Sequence, residues 1–249
     1  MTRLIGAEAL KLRSTRTFIA VTLGSLALAL IVTTAVALGG DFEPGTANGR
    51  QPLAGAGIVQ VFALILGILA VTTEFRHGTI TPTLLVTPDR RRLIGAKLAA
   101  HVVAGLALGL VSFGAGAAIA LTALSARDIP SELTNGDVLA IVAGGTAGTA
   151  LFAAVGVGLG ALLRNQVGAI VAALAWVYAL EPLLGVVPGI GDTVKTYGFG
   201  ALSSGLSDTA AADPDADLLG QLPAAGMLAA YAALLLVAGT VTLRRRDVA

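Results

Sequence analysis

The sequence predicts an all-α integral membrane protein with six transmembrane helices, an interfacial helix at the N-terminus and a short helix in a connection on the cytoplasmic side. Three observations carry this. Of the 249 residues, 55% are hydrophobic and 12% charged, which leaves too little polar surface to keep a domain of this length in water. Uncharged runs recur at the roughly 20 residues that a helix needs to cross a bilayer core of about 30 Å. Basic residues gather in alternate connections, as they do in a chain that crosses a membrane repeatedly.

The first element is "RLIGAEALKLRSTRTF". It places Leu4, Ile5, Ala9 and Leu12 near one helical face, with Arg3, Glu8, Lys11 and Arg13 largely off it, as in a helix lying on the cytoplasmic leaflet. A basic flank that only enforces topology would look the same, and this stretch alone leaves both readings open.

Six spans follow, over 17–38, 54–73, 98–124, 138–163, 167–187 and 223–243, in a single domain covering 1–249. The fourth and fifth are divided only by Arg164, Asn165 and Gln166, yet one helix through both would be roughly 75 Å long and could not fit one bilayer. The tripeptide is therefore a surface turn. Small residues recur at four-residue spacing in Gly105 and Gly109, Gly144 and Gly148, and Gly156 and Gly160, a spacing that lets helices approach closely in lipid.

Charge orients the spans. Arg3, Lys11, Arg13 and Arg16 precede the first; Arg76, Arg90, Arg91, Arg92 and Lys97 follow the second; Arg164 and Arg244 to Arg246 share that side, against Arg50, Arg127 and Lys195 on the other. Basic connections stay inside, so both termini are cytoplasmic and the expected location is the plasma membrane. The first apolar run is too long for a signal-peptide core, so it is kept as a span. The chain has no Cys, which excludes disulfides and thiolate metal sites. His77 and His101 are too separated for a metal cluster, and each is expected at the membrane interface.

The outer connections are short and acidic, with Asp41 and Glu43, then Asp128, Glu132 and Asp137. The longer stretch 188–222 begins apolar and glycine-broken, then turns polar at Asp208, Asp213, Asp215 and Asp217. Its first half suits a re-entrant element, which must be buried against protein or water. Glu181 is the one ionisable residue placed inside a span, in its outer third, and Pro182 after it should kink or end the helix. It is either an anchor for backbone groups freed by the proline or a handler of protons or substrate.

The most charged stretch is "EFRHGTITPTLLVTPDRRRLIGAK", residues 74–97. Gly78 permits a sharp bend out of span two. Thr81 with Pro82 offers a cap and a first-turn proline before a very short helix with Ile80, Leu84 and Leu85 as its apolar positions; Thr87, Pro88 and Asp89 repeat the device before Arg90. Anionic lipid and topology would account for Arg90, Arg91, Arg92 and Lys97. They do not require two caps and a leucine pair, which favour a docked protein partner.

No phosphate loop is present, because "GIGDTVKT" lacks the glycine before Lys195, and no catalytic or metal constellation occurs in the spans. The chain is therefore not expected to be an enzyme, nor to hold a cofactor itself.

The stretches "AEALKLRSTRTF" and "EFRHGTITPTLLVTPDRRRLIGAK", with "GAIVAALAWVYALEPLLG" as a fifth span, resemble the membrane (permease) subunits of type-2 ATP-binding cassette (ABC) exporters in their compact six-span form. The resemblance covers essentially the whole chain. It implies that the N-terminal stretch, with Glu8, Lys11 and Arg13, is the interfacial connecting helix. It also implies that the loop 74–97 carries the coupling helix, with Glu74, Arg76, Gly78, Thr79, Leu84, Leu85, Pro88, Arg90 and Lys97 matching the family's ATPase-coupling loop. It further implies two copies of a separate ABC ATPase subunit that bind ATP and Mg, a second permease protomer in a homo- or heterodimer, surrounding membrane lipid and no nucleic acid. The expected function is export of a hydrophobic or amphipathic substrate. Two rivals stand beside it: an ion-coupled secondary transporter using Glu181, and a non-transporting membrane assembly or immunity protein.

Overall fold

The structure, a computed structural model, describes residues 1–42, 49–209 and 218–245. Glu43, Asp213, Asp215, Asp217 and Arg246 lie outside the described residues. The chain runs through α1 (Thr2–Ser14), α2 (Arg16–Gly39), α3 (Arg50–Arg76), α4 (Ile80–Val86), α5 (Arg90–Ala126), α6 (Asn135–Leu163), α7 (Gln166–Gly185), α8 (Gly191–Tyr197), α9 (Phe199–Ser207) and α10 (Gln221–Arg245). The described residues contain no strand. Helices α2, α3, α5, α6, α7 and α10 are each long and apolar enough to cross a membrane. The protein is an α-helical, multi-pass membrane protein.

Two helices begin well before the apolar runs that signalled them. Helix α3 starts at Arg50, with a tightened turn at Gly55–Gly57, and α5 starts at Arg90 and runs 37 residues. At about 1.5 Å per residue α5 is roughly 55 Å long, so it projects well beyond a bilayer core of about 30 Å. Hydropathy locates the stretch that fits lipid, whereas helical hydrogen bonding continues until a cap or proline stops it.

Helix α6 is the axis of the bundle, packed most extensively on α3, α5 and α10. The glycine pairs make this possible. A Cβ on Gly105 would lie 2.8 Å from Ala150 Cα and one on Gly109 2.8 Å from Thr146 Cα. One on Gly156 would overlap the Leu64 carbonyl, and one on Gly144 the Leu206 carbonyl. The core around Leu64, Ile68, Phe152, Leu202 and Leu228 joins α3, α6, α9 and α10. Helices α2, α7 and α10 turn apolar residues such as Ile31, Val171 and Leu234 outward, the surface that lipid would wet.

Contacts gather the ends of the helices into two groups. At one end, Arg164 Nη2 donates to the Thr242 carbonyl, Arg76 donates to Gln166 Oε1 at 3.3 Å, and α1 meets α3 and α5. This is the basic end. At the other, Arg127 donates to the carbonyls of Ala37 and Gly40 at 2.8 and 3.0 Å, and Arg50 pairs with Asp208 at 2.9 Å. The turn after α6 forms where expected: Arg164 takes the left-handed conformation at φ 55°, and Asn165 Oδ1 accepts from Gly168 N at 2.9 Å to open α7.

The glycine-broken first half of 188–222 is helical. Helices α8 and α9 fold back, and α9 packs on α6 and α10 with Leu202 and Leu206 buried. Its backbone is paired within helical turns, as any such segment near lipid requires.

Candidate functional site

Helix α4 stands at the basic end as an elbow between α3 and α5. Gly78, at φ +67°, supplies the left-handed turn that releases the chain from α3. The helix starts at Ile80 behind Thr79, which makes no side-chain cap bond, and so Thr81 and Pro82 are inside the helix rather than its cap and first turn. Thr83 Oγ1 instead donates back to the Thr79 carbonyl at 2.9 Å. Pro88 likewise precedes the second cap. A residue before proline is pushed out of the helical region, and Thr87 is at φ −130°, ψ 83°, so α4 ends at Val86. Asp89 is the cap of α5, its Oδ1 accepting from Arg91 N at 3.0 Å and Arg92 N at 3.4 Å.

The elbow is seated by one residue and presents others. Ile80 is buried, Leu84 is half-buried, and Leu85 and Val86 are 79% and 85% exposed. Val86 also lines a cleft of about 340 Å³ between α1, α4 and α5, with Leu4, Pro82, Thr83 and Leu93 together with Glu8 and Lys11.

Beneath the elbow lies an ionic quartet, buried at Glu8, Glu74 and Lys97 and exposed at Lys11, that gathers four of the residues singled out in the sequence. Lys97 Nζ donates to Glu74 Oε1 at 2.7 Å, to Glu8 Oε2 at 3.1 Å and to the Ala70 carbonyl at 2.9 Å. Its three ammonium donors are therefore all used. Lys11 Nζ donates to Glu8 Oε1 and to Glu74 Oε1, both at 2.7 Å. Two carboxylates thus meet two ammonium groups with no net charge, and the set binds α1 to α3 and α5. Lys97 is 1% exposed, and a charge that deep is tolerated only when paired and fully hydrogen-bonded.

The quartet corrects the expected face of α1. Glu8 lies between Leu4 and Leu12 on a four-residue spacing and is buried, at the centre of the packed face rather than off it. Burial pushes its carboxyl up, but Lys97 and Lys11 outweigh that and hold it below the ordinary value. For Lys11, burial lowers the value, and the hydrogen bonds to Glu74 and Glu8 overcome it and raise the ammonium above its usual range.

The other expected residues fall elsewhere. Arg13 is exposed on α1. Arg76 points to the start of α7 through Gln166. Arg90 opens α5 on the rim of the elbow. His77 is exposed, whereas His101 is buried against Phe18, with ring centroids 5.7 Å apart.

Glu181 is buried at the far end and both its oxygens are engaged. Oε1 accepts from Phe199 N at 2.8 Å and Oε2 from Gly200 N at 3.0 Å. It caps α9, satisfying donors that a helix start leaves open, and does not serve the groups freed by Pro182. Pro182 does not end its helix: the turn at Trp176–Leu180 widens into a π-helical turn, and the helix then continues to Gly185.

The sequence named Glu8, Lys11, Glu74 and Lys97 without joining them. The available signal was charge parity: one acidic and one basic residue each from α1 and from the segment flanking the elbow. A second polar contact went unnoticed, the bond from Ser203 to the buried Gln60, which links α3 to α9. No protein-family model matches the chain, and no curated protein matches its sequence.

Proposed function

We propose that the chain is the permease subunit of an ATP-driven ABC exporter, with α4 as the helix on which a separate ATPase subunit docks. The observation that carries this reading is the elbow: Ile80 anchors it, while Leu85 and Val86 stand in solvent on the basic end, where a soluble partner could reach them. An exposed apolar pair on a short helix that projects between two long ones suits a protein interface better than a lipid-facing basic loop.

In this reading the basic end is cytoplasmic, two ATPase subunits hold ATP and Mg, and two permease protomers enclose the export path. Force on α4 passes to α3 and α5, and the quartet makes α1 move with them. Export of a hydrophobic or amphipathic substrate then follows from a shift between two packings of these helices. The secondary-transporter reading requires Glu181 to exchange a proton or ion, and the two backbone bonds that hold its oxygens weigh against it.

Capture of the ATPase by the tagged chain tests the docking surface. Leu84→Asp with Leu85→Asp is expected to reduce recovery at least tenfold, the loss of about 1.4 kcal/mol or more expected of an interface anchor. Recovery equal to wild type would remove the basis for the assignment.

A further inference from the structure

Arg164 fills a position that an arginine occupies only at a cost. It ends α6 in the left-handed region, at φ 55° and ψ 0°, where glycine is held without strain and asparagine with little. Asn165 stands next to it, yet opens α7 from an extended conformation instead. A strained backbone of this kind persists where the surrounding contacts over-determine it. The reason for the arginine therefore lies in what its guanidinium touches.

It touches two helices. Nη2 donates to the Thr242 carbonyl toward the C-terminal end of α10, where a cation is favoured. Cζ lies 5.8 Å from the centroid of the Phe75 ring, in the last turn of α3, within the range of a cation–π contact. Phe75 packs against the cluster of Val71, Ile94, Val157 and Ala161, and its carbonyl accepts from Gly78 N at 3.3 Å. The glycine that turns the chain into the elbow is thus bonded to the residue that Arg164 covers. On either side of Phe75, Glu74 belongs to the quartet and Arg76 donates to Gln166 of α7. Three successive residues at the base of the elbow reach three ways: Glu74 to α1 and α5, Phe75 through Arg164 to α10, and Arg76 to α7.

We propose that Arg164 is the joint that carries a displacement of the elbow to α10. The quartet ties α1 and α5 to α3, and Arg164 adds the helix that the quartet does not reach. Its guanidinium is suited to this because one planar group stacks on the Phe75 ring and donates at its edge to a backbone carbonyl, which a lysine cannot do in the same geometry. The joint is a property of this chain alone; its use to transmit work from a docked ATPase rests on the function proposed above.

The test is hydrogen–deuterium exchange of the full chain in lipid nanodiscs, read as protection of the amides of α4 and of those around Thr242 in α10. Gly78→Ala strains the turn that is bonded to Phe75, and Ile80→Ala, which removes the buried anchor of α4, applies the same disturbance where that turn relaxes. In the otherwise wild-type chain either change is expected to lower protection in α4 and to lower it about threefold around Thr242, within the range of coupling between linked sites. In an Arg164→Gly background the loss in α4 should persist, whereas the further loss around Thr242 should vanish. Glycine suits the conformation of residue 164, so the missing response is not a missing fold. An α10 that ignores both elbow variants in the wild-type chain, or that responds equally with Arg164→Gly, would overturn the proposal. Neither result bears on whether an ATPase docks at α4, which the capture experiment decides separately.

Discussion

Lys97 has three ammonium hydrogens and three acceptors, supplied by Glu74, Glu8 and the Ala70 carbonyl. Removing it leaves two buried carboxylates with Lys11 as their one shared cation, and Lys97→Met is expected to cost about 3–5 kcal/mol, read as a lowered melting temperature of the detergent-solubilised protein. Glu74→Leu combined with Lys97→Met should cost less than the sum of the two single changes, because the Lys11 to Glu8 pair at 2.7 Å survives. Protons act on the same contact. Glu8 has a lowered value, so its contribution is complete above the unfolded value of about 4.3 and is lost as pH falls through the folded one. Lys11 has a raised value, so its contribution is complete below about 10.4 and is lost as pH rises through the folded one. The protection of α1 amides, exchange relative to the intrinsic rate at the same pH, should therefore be high across neutral pH and fall at both extremes; low protection at neutral pH would mean that the quartet does not hold the helix.

At the scale of elements, the elbow depends on a backbone conformation more than on contacts. A Cβ on Gly78 would meet nothing within 4 Å, yet φ is +67°. Gly78→Ala should therefore destabilise by about 1 kcal/mol through strain alone, and Gly78→Asn by less, since Asn tolerates the left-handed region. Equal melting temperatures for all three proteins would show that the turn relaxes. Helix α4 was legible because glycine and proline punctuate it on both sides, but its cap was misplaced by two residues. Thr79, Thr81 and Thr87 all resemble caps by residue type, and only the hydrogen bonds distinguish them. Helix α7 behaves differently from expectation because lipid-embedded helices can absorb a proline by widening a turn, and the carboxylate beside it was free to serve α9.

For the whole molecule, stability rests on how closely α6 can approach its neighbours. Gly156→Leu would drive a side chain into the Leu64 backbone and should destabilise by several kcal/mol, of the order seen for overpacked cores. Gly24→Leu, at a position with nothing within 4 Å on α2, should be close to neutral in the same melting assay. Similar losses at both sites would mean that α6 is not the axis. The glycine pairs of α5 and α6 were readable as packing positions from spacing alone. Their partners were not, since each pair could have met any of the other spans.

The sequence by itself determined that the chain has six stretches long and apolar enough to cross a membrane, that its basic connections share one end and that a short helix projects there. Those properties follow from run length, charge placement and punctuation, all of which are local in the chain. Tertiary structure alone decided that Glu8 and Lys97, 89 residues apart, share a buried hydrogen bond, that Glu181 caps α9 and that Arg164 bridges Phe75 and Thr242. An apolar span is nearly uniform around its circumference, so its sequence does not mark which side meets which neighbour. That choice is made by backbone approach at glycines and by the need of each buried polar group to find a partner.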